Sequence, residues 1–263
     1  MIESGDRIAI ALSGGKDSVV LTHILKEMYG HRRDIEFFAI TVDEGINGYR
    51  PPTVEIAKSI TKSLSIEHRI VSFKEELGAT LDEMVKKGDK KPCTYCGVFR
   101  KYLLNKTARE MGATKLATGH NLDDETQTIL LNFLQADIDR LARLIPQRKQ
   151  KGLVLRIKPL RDIYEKEIVV YAMLFNISID MNECPYSHFP VRAAVRDFLY
   201  NFENRYPGRK FSVMRSFENL IPSLRQLHPQ IKLNACERCG EPTPGKICQA
   251  CTLKEELGLF SSG

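Results

Sequence analysis

Residues 10–18 read Ile-Ala-Leu-Ser-Gly-Gly-Lys-Asp-Ser, and this stretch decides how the first half of the chain folds. The segment before it, Arg7–Leu12, has the apolar density of a buried strand, and apolar residues from Val19 to Leu25 recur at helical spacing. A glycine turn between strand and helix lets backbone N–H groups approach phosphate oxygens, and the helix adds its positive dipole end. The stretch therefore predicts a nucleotide-binding loop; the alternative is a plain strand-to-helix turn.

The charged residues of the loop add to this interpretation. Lys16 supplies a cation, and Asp17 supplies a carboxylate that can hold Mg²⁺ or a group on the adenylate side. The pattern differs from the common P-loop, which has four residues between its first glycine and Gly-Lys-Ser/Thr. We therefore predict a phosphate site of another kind over Ser13–Ser18.

Length and composition are those of an ordinary globular protein. The chain has 263 residues, of which 43% are hydrophobic and 27% charged. It has no run of about 18 uncharged apolar residues, and residues 1–7 carry acids without an apolar segment. We expect a cytoplasmic protein with no membrane span and no secretory signal.

The positive charge is clustered. The net charge is +6, and Arg140–Arg161 contains eight Lys and Arg residues without a single acid. A second basic stretch, Lys86–Arg109, is interrupted only by Asp89. Such clusters suit a polyphosphate partner, and RNA is the natural candidate beside nucleotide chemistry. A solvated surface is the alternative, and charge alone favours neither.

Strand and helix patterns alternate up to about residue 135, which is typical of an α/β fold with a doubly wound parallel sheet. The predicted strands are Arg7–Leu12, Glu36–Val42, Glu67–Ser72 and Thr114–Thr118; the predicted helices are Asp17–Tyr29, Pro51–Leu64, Thr94–Met111, Leu122–Gln135, Tyr164–Phe175 and Ala193–Tyr206. Ligands of such sheets bind at the carboxyl ends of the strands. We expect a catalytic domain over 1–157, a helical extension over 158–230 and a cysteine-rich C-terminal unit over 231–263.

Four of the seven cysteines form one module near the C-terminus. Cys236-x-x-Cys239 and Cys248-x-x-Cys251 are separated by eight residues, so that each pair puts two thiolates on one turn. Four thiolates complete a tetrahedral Zn²⁺ site, and with no secretory signal metal sites are favoured over disulfides. We predict a zinc ribbon with a structural role, such as docking RNA or a partner.

The other three cysteines leave more than one interpretation open. Cys93 and Cys96 fit a redox pair, half of a zinc site or two buried thiols. The lone Cys184 is by itself more often a core residue than a ligand. If the fold brings the three together, they suit an iron–sulfur cluster whose exposed iron can hold a sulfur atom.

The segment Gly119-His-Asn-Leu-Asp-Asp124 follows a predicted strand and opens a helix. Helix capping by Asn121, with acids in the first turn, is the structural interpretation. The functional one places Asp123 or Asp124 beside the phosphates as a Mg²⁺ or substrate-orienting carboxylate. His120 fits either a phosphate contact or a structural role.

Together these features resemble the tRNA 2-thiouridine synthetase group of the PP-loop ATP pyrophosphatases, from near Gly5 to Thr252. The stretches that carry the resemblance are Ser13–Ser18, Asp43–Arg50, Cys93–Arg100, Gly119–Asp124, Glu183–Ser187 and the C-terminal ribbon. Three stretches are more similar to the branch that modifies the wobble uridine of the anticodon: Asp137–Arg143, Tyr164–Glu167 and Glu183–Ser187. Arg100 stands where the T-loop branch has lysine, which agrees with this branch. Members of the group generally begin with a further zinc ribbon, whereas this sequence starts directly before its first predicted strand.

The resemblance implies that ATP, with Mg²⁺, adenylates the C2 oxygen of a uridine, that pyrophosphate leaves, and that sulfur then displaces AMP. It assigns ATP contacts to Ser13, Gly14, Gly15, Lys16, Asp17, Ser18, Arg100, Gly119 and Asp124, with adenine near Ile40–Val42. It assigns catalytic roles to Lys16, Asp17, Arg100, Asp124 and Cys184, and a 4Fe–4S cluster to Cys93, Cys96 and Cys184. The alternative to a cluster is a persulfide on one of these cysteines that resolves through a disulfide with another.

The resemblance also implies tRNA as partner, sulfide or the thiocarboxylate of a ubiquitin-like protein as sulfur donor, and a homodimer. Three alternatives remain: 2-thiolation of the T-loop uridine, a PP-loop pyrophosphatase that forms an amide or lysidine, and a zinc-ribbon RNA-binding protein with a relict nucleotide site. Cys93, Cys96 and Cys184 argue against the second. The intact Lys16, Asp17 and Asp124 argue against the third.

Overall fold

A computed structural model describes residues 1–146, 150–187, 190–229 and 231–260, and in these ranges the predicted parallel sheet is present. Its strands are β1 (Arg7–Ala11), β2 (Glu36–Asp43), β3 (Glu67–Ser72), β4 (Lys115–Ala117) and β5 (Leu155–Ile157). They lie in the order β3-β2-β1-β4-β5, and every neighbouring pair is parallel. The central strand pairs Ala9 with Phe38 on one side and with Leu116 on the other.

The helices of the first half follow the strands in alternation: α1 (Lys16–Tyr29), α2 (Arg50–Ser63), α3 (Phe73–Leu77), α4 (Leu81–Lys87), α5 (Pro92–Glu110) and α6 (Leu122–Leu134). The four helices predicted here are confirmed to within two residues at each end. The two short helices α3 and α4 were not predicted. Thr80 starts α4 with a capping box that includes Glu83, and local hydrogen bonds of this kind define a short helix without a hydrophobic period.

The second half is mainly helical, as expected. It contains α7 (Ile138–Ala142), α8 (Glu165–Leu174), α9 (Pro190–Arg205) and α10 (Arg209–Leu227), then the two-residue strands β6 (Asn234–Ala235) and β7 (Pro242–Thr243), and finally α11 (Gln249–Glu256). None of the helices in the described ranges is long and apolar enough to cross a membrane.

Both faces of the sheet are covered, which is why β1 is apolar from Ile8 to Ala11. On one face, Ile8 and Ile10 pack in a cluster that includes Ile168 of α8. On the other face, Ala9 packs in a larger cluster that includes Phe99 of α5 and reaches Leu253 of α11. The helical extension and the C-terminal unit therefore pack against the sheet domain. The domain boundaries at 157 and 230 stay predictions.

Candidate active site and cysteine clusters

The loop between β1 and α1 is held in shape by its own serines. Ser13 Oγ and Ser18 Oγ lie 3.0 Å apart, and Ser18 Oγ donates to the Gly15 carbonyl at 2.9 Å. The N–H of Gly15 donates to Ser13 Oγ at 3.3 Å. Because Gly15 stands at the N-cap of α1 without a side-chain cap, the N–H groups of the first turn stay available for phosphate oxygens.

Two glycines let backbone segments approach more closely than any other residue would allow. Gly14 has φ +87°, and a Cβ there would lie 1.9 Å from the carbonyl oxygen of Thr53. At Gly119, a Cβ would lie 3.0 Å from the backbone nitrogen of Ser18. A side chain at either position would therefore separate the loop from α2 or from the turn after β4.

A cavity of about 310 Å³ opens beside this loop, at the carboxyl ends of β1, β2 and β4. Seven of the predicted ATP contacts line it: Ser13, Gly15, Asp17, Ser18, Arg100, Gly119 and Asp124. Ile40 and Val42, where adenine is expected, contribute to its apolar wall. Gly14 and Lys16 are not among the lining residues.

Lys16 and Asp17 are the first residues of α1 and are half-buried. The Lys16 ammonium lies 2.7 Å from Glu165 Oε1 and 3.0 Å from Asp17 Oδ2. Burial disfavours its charge, but the hydrogen bond to Glu165 and the charge of Asp17 outweigh this and raise the pKa of Lys16. Asp17 also accepts from the Asn121 side chain at 3.0 Å. The partner Glu165, at the start of α8, was not predicted from the sequence.

Asp124 faces the same cavity and also belongs to a helix cap. Its N–H donates to Asn121 Oδ1 at 2.9 Å, and its carboxylate accepts from the Asn121 N–H at 3.3 Å. Burial raises the pKa of Asp124 to about 6, with the charges of Asp17 and Glu165 acting in the same direction. Two carboxylates that repel one another in a shared cavity suit a divalent cation between them. The capping and functional interpretations are therefore compatible.

Glu44 is a site residue that the sequence reasoning did not assign, although it stands directly after β2 at the ligand edge of the sheet. Its side chain is only 5% exposed, and Oε2 lies 2.8 Å from Arg50 Nε. Oε1 lies 3.6 Å from Arg100 Nη1 and 4.0 Å from Cys96 Sγ. Since Glu44 also lines the cavity, it connects the nucleotide side of the site with a cysteine.

The fold brings the turn at Cys184 to the start of α5, where Cys93 and Cys96 lie. Cys93 Sγ donates to the Tyr186 carbonyl at 3.5 Å, and Tyr186 Oη donates to Asp82 Oδ1 at 2.7 Å. Cys96 and Cys184 pack against the same hydrophobic cluster. Burial raises the pKa of Cys96 to about 12, so that this thiol stays protonated until a metal displaces its proton. We call Cys93, Cys96 and Cys184 the cysteine trio.

The C-terminal cysteines have a different geometry. In the part of the chain that the structure describes, one set of three or more possible metal ligands has all its ligand atoms within 4.8 Å of one another: Cys236, Cys239, Cys248 and Cys251. A single tetrahedral ion with metal–sulfur bonds of about 2.3 Å needs such close spacing. Burial opposes ionisation of Cys236, but N–H donors, including that of Cys248 at 3.2 Å, lower its pKa to about 6. We call these residues the cysteine tetrad.

The comparisons with known proteins agree with this geometry. Residues 3–202 match the model of the PP-loop domain. The chain is 41% identical over 261 residues to the tRNA 2-thiolation protein NcsA of Haloferax volcanii, covering 94% of this chain and 81% of that protein. It is 39% identical to the cytoplasmic tRNA 2-thiolation protein 1 of Chlamydomonas reinhardtii, covering 98% and 73%. The chain belongs to the PP-loop family of tRNA 2-thiolation proteins.

A solved structure of the family has the same fold. The U34-tRNA thiolase NcsA from Methanococcus maripaludis, with its 4Fe–4S cluster, matches with a TM-score of 0.87 and 36% identity, covering 98% of this chain and 83% of that one. The predicted family and the predicted α/β fold are therefore confirmed. The roles of individual side chains remain proposals.

In the folded protein, several cations of the basic stretch Arg140–Arg161 are neutralised by carboxylates. Three of its cations pair with carboxylates outside the stretch: Lys158 with Glu125 at 2.6 Å, Arg161 with Glu218 at 2.7 Å and Arg140 with Asp137 at 3.2 Å. Arg148 and Lys149 lie outside the described residues. Arg143 and Arg156 have no carboxylate of the described ranges within 4.0 Å.

Proposed function

We propose that this protein is an ATP-dependent tRNA sulfurtransferase that converts the wobble uridine, position 34, into 2-thiouridine. The observation that carries the proposal is Glu44, which lines the nucleotide cavity, faces Arg100 and lies 4.0 Å from Cys96 Sγ. The nucleotide cavity and the cysteine trio are therefore adjacent. The relatives named above support tRNA as substrate, and the thiolase of known structure supports position 34.

In the first half-reaction, the uridine C2 oxygen attacks the α-phosphorus of ATP and pyrophosphate leaves. The loop Ser13–Ser18 and the first turn of α1 bind phosphate oxygens through N–H groups. Arg100 offsets the charge that develops on the phosphoryl oxygens. Asp17 and Asp124 position Mg²⁺ or the uracil. Lys16 joins them by exchanging its Glu165 partner for a phosphate oxygen.

In the second half-reaction, the sulfur of sulfide attacks C2, and AMP leaves with the former C2 oxygen. The cysteine trio would hold the 4Fe–4S cluster, since these thiols are wider apart than a single ion requires and border the nucleotide cavity through Glu44. When bound, a cluster with three thiolate ligands supplies one iron with a free position that binds sulfur. Tyr186 keeps the third cysteine close to the other two: its hydroxyl donates to Asp82 of α4, and its carbonyl accepts from Cys93 at the start of α5.

The cysteine tetrad would hold structural Zn²⁺. Its four thiols are closely spaced, three of them are buried, and backbone N–H groups already donate to two of the sulfurs. These features suit a closed site with four thiolates and no open position. Metal binding would stabilise the folded C-terminal unit, which packs next to α5.

Further parts of the proposal follow from the resemblance. The sulfur donor would be sulfide or the thiocarboxylate of a ubiquitin-like protein, and the protein would act as a homodimer. Relatives named as cytoplasmic support a cytoplasmic location. The catalytic domain would end near residue 157 and the helical extension near residue 230.

The test is the dependence of AMP formation on the target base. Anaerobically reconstituted protein should form AMP and pyrophosphate from ATP with an unmodified tRNA transcript that carries U34, and not with a matched transcript that carries C34. Asp17→Ala and Lys16→Ala should abolish AMP formation while keeping the far-UV circular dichroism of the wild type. Equal AMP formation with both transcripts would show that the acceptor is another group.

A further inference from the structure

A second cavity, of about 580 Å³, lies between α5 and the C-terminal unit. On the α5 side it is lined by Cys93 and Lys101, and on the C-terminal side by Pro242 and Gln249. We call it the α5 groove. Lys101 and Arg156 line both this groove and the nucleotide cavity, so that the two spaces meet at these side chains. The groove therefore connects the cysteine tetrad, at Cys248, with the nucleotide cavity, and Cys93 forms part of its wall.

The charge at this junction is not neutralised by the protein. Lys101 and Arg156 are exposed, and within the described ranges no carboxylate lies within 4.0 Å of either one. Some other cations around the site are paired, as Lys16 is with Glu165 and Lys158 with Glu125. The groove thus holds two cations that are free to bind an anion.

Nearby groups add to this positive potential. Loss of hydration and the charges of Arg156, Arg100 and Arg143 lower the pKa of Lys101. Loss of hydration and the charge of Arg100 likewise lower the pKa of Arg156. Cations that destabilise one another in a concave surface bind phosphate groups favourably, because each phosphate relieves the repulsion.

We propose that the α5 groove binds the phosphate backbone of the RNA strand that carries the target uridine, with Lys101 and Arg156 on the phosphates beside that nucleotide. This inference rests on the proposed function and names the surface that presents the substrate. A base that undergoes chemistry must leave its stack, which costs least in a single-stranded segment such as the anticodon loop, and contacts to the backbone of that segment fix its position.

ATP is the other source of phosphate at this junction, and the geometry favours RNA. The serines and the helix N-terminus that suit the phosphates of ATP lie at the loop Ser13–Ser18, whereas the groove extends away from it toward Pro242 and Gln249. Because Cys93 lines the groove, a strand bound there would lie beside one cysteine of the trio and would meet the nucleotide cavity at Lys101 and Arg156. A target base on that strand would be close both to the ATP that adenylates it and to the cysteine trio that supplies sulfur.

The test compares two double variants that remove the same charge. In Lys101→Gln/Arg156→Gln, both groove cations are lost. In the control Arg33→Gln/Lys62→Gln, two exposed cations are lost that line neither cavity and pair with no described carboxylate. Affinity for the unmodified U34 transcript is measured over a series of salt concentrations, and ATP affinity is measured without RNA.

We expect the groove variant to bind tRNA more weakly and with a shallower salt dependence. The magnitude of the slope of log affinity against log salt should fall by about 1.4, which corresponds to two single-strand phosphate contacts. Its ATP affinity should stay within twofold of wild type, and the control should match wild type in both measurements. Should the groove variant unfold, Lys101→Arg/Arg156→Lys keeps the charge and should keep the wild-type slope.

Two results would overturn the inference. One is an unchanged tRNA affinity and slope in the groove variant, which would leave the proposed function intact if the wild type still thiolates U34. The other is an ATP affinity that falls as much as the tRNA affinity, which would assign these cations to the nucleotide. Wild-type protein that binds tRNA through the groove without forming AMP would instead contradict the proposed function alone.

Discussion

The cysteine tetrad and the cysteine trio use the same side chain in two different environments. The tetrad sulfurs lie within 4.8 Å of one another, and three of the four residues are buried. The trio residues are all half-buried, more widely spaced, and bordered by Glu44 and by the α5 groove. Four buried thiols can fill all coordination positions of a structural metal ion. Three thiols leave a coordination position open, which suits a metal group that binds substrate.

The two environments also differ in what fixes them. Backbone N–H groups of the ribbon itself donate to tetrad sulfurs, as Cys248 N–H does to Cys236. The trio is assembled by contacts between distant segments, through Tyr186 and Asp82. The tetrad is therefore a local unit, whereas the trio exists only when the whole domain is folded.

The largest expected effect is that of Cys184→Ala, which should abolish thiolation and bound iron while the zinc content stays at the wild-type level. The change removes one of the three thiolates of the trio, whereas Cys184 is not one of the four closely spaced cysteines of the tetrad. Iron and zinc are measured by elemental analysis of protein purified without oxygen. Wild-type iron content and activity in this variant would remove Cys184 from the proposed site.

Cys236→Ala should have the second largest effect, because it removes a tetrad ligand. We expect loss of zinc with most of the iron retained, and a fall of several kcal/mol in the unfolding free energy of the C-terminal unit, since metal binding contributes to its folding. Limited proteolysis and elemental analysis check both parts. Loss of iron with zinc retained would show that the tetrad holds the cluster.

Glu44→Gln tests the buried ion pair between Glu44 and Arg50, at the place where the trio borders the nucleotide cavity. Glu44 and Arg50 are both about 5% exposed or less, so that removing one charge of this buried pair should cost about 3 kcal/mol of unfolding free energy. The exposed pair Glu55–Lys58, at 2.7 Å, is the control, and Glu55→Gln should cost less than about 1 kcal/mol. Equal costs in urea unfolding would contradict the buried role of Glu44.

The smallest effect is expected for Arg238→Gln, on the surface of the C-terminal unit. Arg238 lies 2.9 Å from Glu255, and both side chains are well exposed, so the pair should contribute less than about 1 kcal/mol. Zinc content should be unchanged. A loss as large as that of Cys236→Ala would mean that surface ion pairs, and not the thiols, hold the unit together.

The sequence was sufficient for the elements with strong local signals. The strands β1, β2, β3 and β4 and the helices α1, α2, α5, α6, α8 and α9 follow from apolar runs and helical periods, and the loop Ser13–Ser18 from its glycines. The 19-residue helix α10 was expected only as part of a mainly helical stretch and not as an element of its own. β5 was missed because it has three residues and gains its pairing from β4 alone. α3 and α4 were missed because caps, such as Thr80 with Glu83, define them and not a period.

The candidate site was less predictable because its side chains meet across the fold. The pairing of Lys16 with Glu165 and the position of Glu44 beside Cys96 join segments that are far apart in the chain. No local pattern encodes such contacts. The ion pairs that neutralise part of Arg140–Arg161 were hidden for the same reason, since their carboxylates come from other segments.

The central claim is that this protein places sulfur on the wobble uridine of tRNA. The most direct measurement incubates anaerobically reconstituted protein with ATP, Mg²⁺, sulfide and unmodified tRNA, then maps the thiolated nucleotide by mass spectrometry of nuclease fragments. We expect 2-thiouridine at position 34, dependent on ATP and absent in Cys184→Ala. Thiolation at the T-loop uridine, or none from protein that contains iron and zinc and binds ATP, would contradict the claim.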